Sequence, residues 1–249
     1  MRIVLLGTGF AVPSPKRVQS GILIETGENL ILVDCGSGVL GNLTKAGYSP
    51  TDVTHVFFTH HHLDHDIDFL PLLKARLILG NTGIKSYGPE GTKKWINALF
   101  EAYPYLEGRF DLEIKELEDG ETLAIGNDSV ACASACHSPH SIAYRIDSKS
   151  SVVYSGDTEP CEGVKTLIGS GTDTLIHECS VLDFSEHREG HTTPTALGEF
   201  LKDAPVKRVV LTHFSSEIPG HEEEIVALLK QYFAGEIVIG EDLISLEAP

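Results

Sequence analysis

A chain of 249 residues with 41% hydrophobic side chains can bury a large core, and it reads as one domain over residues 1–249. Its 36 acidic and 19 basic residues give a formal net charge of −17, a surface that repels long polyanions and disfavours long nucleic acid as a partner. The apolar run Met1-Arg-Ile-Val-Leu-Leu-Gly7 is shorter than a secretory h-region, and no stretch approaches the roughly 20 apolar residues of a membrane helix. A cytoplasmic chain without a membrane span is expected. The five cysteines contain no C-x-x-C pair, the pattern of reduced thiols rather than of a disulfide framework.

Taken in chain order, short β-branched or apolar runs predict strands at Arg2–Leu6, Ile22–Thr26 and Leu30–Val33, followed by a helix at Val39–Ala46. A strand at His55–Thr59 and helices at Ile67–Leu79 and Thr92–Tyr103 come next. The middle is strand-rich again, at Ser129–Ala133, Ile142–Ile146 and Ser151–Tyr154. The last third alternates: helix Gly163–Ile168, strand Thr174–His177, helix Pro194–Lys202, strand Arg208–Thr212, helix His221–Phe233, then strands Glu236–Ile239 and Leu243–Leu246. Two sheets covered by helices accommodate this order, and the pairs Thr59-His60 and Thr212-His213, each closing a strand, hint at two related halves.

Neither glycine-rich segment makes a phosphate loop. After Gly7-Thr8-Gly9, Val12 stands where a dinucleotide fingerprint needs a small residue, and Pro13 and Pro15 oppose a helix there. The segment from Gly88 to Lys94 lacks the G-x-x-x-x-G-K-[ST] spacing.

The strongest chemical signal is Thr59–Asp66, T-H-H-H-L-D-H-D, directly after an apolar strand. Residues two apart on an extended segment point the same way, so His60 and His62 grip one metal while His61 faces elsewhere. Asp64 and His65 follow where the chain turns into a helix and offer a carboxylate and an imidazole to a second metal.

This H-x-H-x-D-H run resembles the hallmark of the metallo-β-lactamase superfamily, which implies a four-layer αββα sandwich. The resemblance extends to Cys136-His137-Ser-Pro-His140, Tyr154-Ser-Gly-Asp157-Thr and Val210-Leu-Thr-His213-Phe. It implies that His60, His62, His137 and Asp157 hold one metal, and Asp64, His65, Asp157 and His213 the other, with Asp157 bridging and His140 structural. Nitrogen and oxygen donors without thiolates suit two divalent ions, zinc first, with manganese or iron as substitutes. Diiron relatives carry Glu where this chain has His62, which counts against redox chemistry.

Within the superfamily, Leu6-Gly-Thr-Gly-Phe-Ala-Val-Pro-Ser-Pro-Lys-Arg17, Leu32-Val-Asp-Cys-Gly-Ser-Gly38, His177-Glu178-Cys179 and Gly190-His191-Thr-Thr are similar to the ribonuclease Z branch. That similarity implies that Glu178 orients or charges His191 and that His191 stabilises or protonates the leaving group, and the chemistry of a dimetal site lets Asp64 accept a hydrogen bond from a metal-bridging hydroxide and fix its direction. Two features depart from the branch. Only 19 residues separate His137 from Asp157, leaving no room for the long arm that ribonuclease Z places there, and the net charge is −17. The resulting expectation is a dinuclear hydrolase acting on a small phosphodiester, with tRNA precursors poor substrates and a homodimer compatible with the resemblance. A lactone or thioester hydrolase, a tRNA 3′-processing endonuclease and a non-catalytic metal-binding module are the alternatives.

Overall fold

A computed structural model describes residues 1–186 and 189–248 of the chain. The first half forms strands β1 (Arg2–Gly7), β2 (Gly21–Glu25), β3 (Leu30–Val33), β4 (His55–Phe57), β5 (Gly83–Gly88) and β6 (Asp111–Glu116). Helices α1 (Val39–Lys45), α2 (Leu63–Asp66), α3 (Phe69–Ile78) and α4 (Thr92–Ala102) lie between them. The second half adds β7 (Thr122–Ile125), β8 (Asp128–Ala135), β9 (Ser141–Asp147), β10 (Ser151–Tyr154), β11 (Thr172–Glu178), β12 (Val206–Thr212), β13 (Glu236–Ile239) and β14 (Ser245–Glu247). Its helices are α5 (Glu162–Ile168), α6 (Pro194–Leu201) and α7 (Glu222–Leu229).

The strands make two seven-stranded sheets, β14-β1-β2-β3-β4-β5-β6 and β13-β12-β11-β10-β9-β8-β7. Between the sheets lies one apolar cluster that includes Ile3, Ile24, Phe57, Tyr144, Val152 and Val210. A second cluster fills the space between the first sheet and α1, α3 and α4, and a third that between the second sheet and α5, α6 and α7. These three interfaces define four layers, αββα, because each sheet is apolar on both faces and must be covered twice. Among the described residues no helix is long and apolar enough to cross a membrane.

The structure departs from the sequence reading in particular places. Strands β5, β6 and β7 were not expected. In β6, Asp111, Glu113 and Lys115 alternate with Leu112 and Ile114, the pattern of an edge strand with one wet face. The strand predicted to reach Thr59 ends at Phe57, because the Thr59 amide leaves the ladder and donates to Asp34 Oδ1 at 2.8 Å. The helix predicted over Ile67–Leu79 is α3, which begins at Phe69 after Asp68, whose carboxylate accepts the amides of Gly38 and Leu40, and the short α2 that carries Asp64 and His65 before it was not expected. The last strand begins at Ser245 rather than Leu243, whose φ of 68° puts it in a turn.

Candidate metal centre

The candidate ligands converge where strands of the two sheets end. His60 and His62 follow β4, Asp64 and His65 lie on α2, His137 follows β8, Asp157 follows β10 and His213 follows β12. Two tight turns permit the convergence. Gly156 has φ 57° and a Cβ there would meet the Thr59 side chain at 2.8 Å, while Gly190 has φ 76° and its Cβ would meet His137 Nδ1 at 2.9 Å. His213 itself sits at φ 61°, a left-handed conformation that costs a non-glycine residue about 1–3 kcal/mol.

Ligand-type atoms of His60, His62, His137 and Asp157 lie within 4.8 Å of one another, as do those of Asp64, His65, Asp157 and His213. Within the first group, His62 Nδ1 is 3.0 Å from His60 Nε2 and 3.3 Å from His137 Nε2. In the second, His65 Nε2 is 3.2 Å from His213 Nε2. Asp157 belongs to both groups, and its buried Oδ1, 3.2 Å from His65 Nε2 and 3.2 Å from His213 Nδ1, makes no hydrogen bond. Imidazole nitrogens pointed at one another around an unsatisfied buried carboxylate oxygen fit cations between them better than they fit protons.

The electrostatics agree with that fit. Burial and the neighbouring His65 hold His60 well below the usual histidine range, keeping its lone pair free. Burial opposes the charge on Asp157, yet His213 and His65 outweigh it and hold the carboxyl well below its usual range. Burial likewise opposes protonation of His65, but Asp157 and Asp34 raise it well above the usual value. A positive charge is therefore favoured between His65 and Asp157, where a cation would replace a proton.

Around these groups stands a layer of orienting contacts. His65 Nδ1 donates to Asp34 Oδ2 at 2.8 Å, and Asp34 also accepts from the Thr59 hydroxyl and from Tyr154 Oη at 3.2 Å. His137 Nδ1 donates to the Gly190 carbonyl at 2.8 Å. His213 Nδ1 lies 2.9 Å from Ser180 Oγ, which in turn donates to Glu178 Oε2. Asp34 and Ser180 went unassigned in the sequence reading. The Asp-Cys-Gly element after the buried strand β3 was the available signal for Asp34; for Ser180 only its place two residues beyond Glu178 pointed to a role.

Glu178 is fully buried and accepts four hydrogen bonds, from the amides of Thr158 (2.7 Å) and Thr192 (3.1 Å), from Ser180 and from His191 Nδ1 (3.0 Å). A carboxylate has about four lone-pair sites, so Glu178 has none left for a metal although it lies near His191 and His213. His61 turns out of the cluster: its Nε2 is 2.8 Å from Thr92 Oγ1, its Nδ1 is 3.2 Å from Asp66, and its ring stacks on Trp95 at 4.7 Å. His140 is exposed.

Residues 29–214 match the model of the beta-lactamase superfamily domain. The chain belongs to this superfamily. Ribonuclease Z from Mycobacterium avium (strain 104) is 28% identical, over 100% of this chain and 99% of its own length. The crystal structure of the short form of human tRNase Z superposes with a TM-score of 0.82 at 26% identity, covering 100% of both chains. The metallo-beta-lactamase fold protein YhfI from Bacillus subtilis superposes equally, with a TM-score of 0.82 at 25% identity over 99% of each chain. The fold is thus the metallo-β-lactamase sandwich, and the chain is a metal-dependent hydrolase of the ribonuclease Z-like kind, whose fold implies divalent metal ions.

These relatives correct the expectation of a small-molecule substrate with long nucleic acid disfavoured. Proteins similar to this chain from end to end are named ribonuclease Z and tRNase Z. The expectation failed because a net charge of −17 averages over the whole surface, while binding follows the field at the site, where metal ions would supply positive charge. The short interval from His137 to Asp157 is filled by the β9–β10 hairpin. No long arm therefore lies in that interval.

Proposed function

We propose that this chain is a ribonuclease Z-type phosphodiesterase that cuts tRNA precursors on the 3′ side of the tRNA, with two divalent cations, zinc by preference. One observation carries the reading: seven histidine and aspartate side chains in two groups share Asp157 beside the Glu178–His191 pair. His60, His62, His137 and Asp157 would hold one cation, and Asp64, His65, Asp157 and His213 the other. When bound, such a pair lowers the pKa of a water and offsets the charge that grows on the phosphoryl oxygens.

The remaining steps belong to the protein. Asp64 accepts a hydrogen bond from the attacking water and fixes its direction. The His191 Nδ1–H donates a hydrogen bond to the Glu178 carboxylate, which leaves Nε2 to serve the departing oxygen. Burial opposes the charge on His191, but the hydrogen bond and negative charge of Glu178 outweigh it and raise its pKa, keeping a proton available. The water passes one proton to Asp64 as its oxygen bonds to phosphorus, the bond to the leaving oxygen breaks, and that oxygen takes its proton from His191.

A tRNA precursor with a 3′ trailer tests the proposal. Metal-replete protein should cut once at the trailer junction, a chelator should abolish the cut and zinc should restore it. An intact precursor beside protein that still hydrolyses bis(p-nitrophenyl) phosphate would reject the tRNA substrate.

A further inference from the structure

A cavity of about 630 Å³ borders His191, and Phe10, Val12, Glu186, Glu189 and Glu217 contribute to its wall. We infer that it is a nucleoside subsite, which holds the base attached to the leaving oxygen on the face of Phe10 with the base's amino group donating to Glu217. The inference rests on the phosphodiesterase reading above, since His191 defines the leaving side.

Phe10 is fixed where a stacking platform is needed. Gly9 pairs with Phe214, the Phe10 amide donates to the Phe214 carbonyl at 3.2 Å, and the Gly9 amide donates to Val18 at 2.8 Å. The ring consequently lies 5.3 Å from that of His191, edge to face, and 5.0 Å from that of His213. One aromatic ring thus touches both the proposed proton donor and a candidate ligand, and it also faces the cavity. Val12 continues the apolar wall beside Phe10. A cavity of this size is within the range of small-molecule sites.

The polar part of the wall selects the ligand. Glu217 is held by the Ser185 hydroxyl at 3.0 Å and the Leu182 amide at 3.4 Å. Those two contacts leave about two of its four lone-pair sites for an amino group, the kind of contact a carboxylate makes to cytosine.

The test compares cytidine monophosphate, uridine monophosphate and ribose phosphate as inhibitors of bis(p-nitrophenyl) phosphate hydrolysis. Cytidine monophosphate should inhibit about 5- to 150-fold more strongly than ribose phosphate, the equilibrium worth of one base–aromatic stack. Phe10→Ala should remove that gap, and Phe10→Leu, which keeps the apolar volume, should narrow it. Glu217→Gln should bring cytidine and uridine monophosphates together. Equal inhibition by base-bearing and abasic ligands, or a gap that survives Phe10→Ala, overturns the subsite. If the diester is not hydrolysed, saturation-transfer NMR with the same three ligands reads the same comparison, so failure of the phosphodiesterase reading and failure of the subsite are told apart.

Discussion

The two candidate half-sites share Asp157 and differ in almost everything else. Asp64, His65 and His213 are buried, whereas His62 and His137 of the other group are partly open to solvent. On the buried side, orientation comes from carboxylates: Asp34 grips His65 directly, and Glu178 reaches His213 through Ser180. Across the centre, among the described residues, a backbone carbonyl holds His137, and the Thr59 hydroxyl, 3.0 Å from His60, relays a more distant support from Asp34. Carboxylate support makes an imidazole a stronger donor and fixes its tautomer. The buried half is built to retain a cation, and the open half to meet substrate.

The largest effect that sharpens this contrast is expected on the substrate side. His191→Ala should keep its metal ions while slowing a diester with an alkoxide leaving group by about 10²–10⁴-fold, the range of general acid catalysis. A p-nitrophenolate diester should lose much less. Equal losses on the two substrates would remove the general-acid role, and loss of metal would move His191 into the ligand set. Glu178→Gln should lower the pKa of His191, because the Glu178 charge raises it. Since His191 acts protonated, the alkaline fall in activity should then begin at lower pH; a pH–rate profile that does not move contradicts the pairing.

A smaller effect separates the halves directly. Asp34→Asn should weaken metal binding about 10- to 100-fold at the buried half, whose His65 it holds directly, and less at the other half, which it reaches only through Thr59 and His60. Chelator competition resolving two dissociation constants checks it, and weakening of both sites alike would erase the proposed division. Ser180→Ala should act in the same direction, with Ser180→Thr restoring affinity because the hydroxyl returns. Smallest of all, His61→Ala should leave metal content unchanged, since His61 spends both ring nitrogens on Asp66 and Thr92.

What the sequence made legible was local in character. The alternation His60, His62, Asp64 is a strand-end pattern, and the later His137, Asp157 and His213 could be sought once it had been read. The central strands were equally visible as apolar runs. Edge strand β6 was hidden by its charged face, and the start of α3 at Phe69 by an Asp68 carboxylate that serves distant amides. Asp34 and Ser180 act on residues 31 and 33 positions away, contacts that exist only after the sheets pack. Substrate class was misjudged because charge was summed over the chain rather than placed on its surface.

The account turns on one carboxylate shared by two cations. Elemental analysis of metal-replete wild type and Asp157→Ala tests it most directly. Two ions per wild-type chain and depletion of both in the variant are predicted; one ion in the wild type, or a variant that keeps a full complement, would contradict the shared centre.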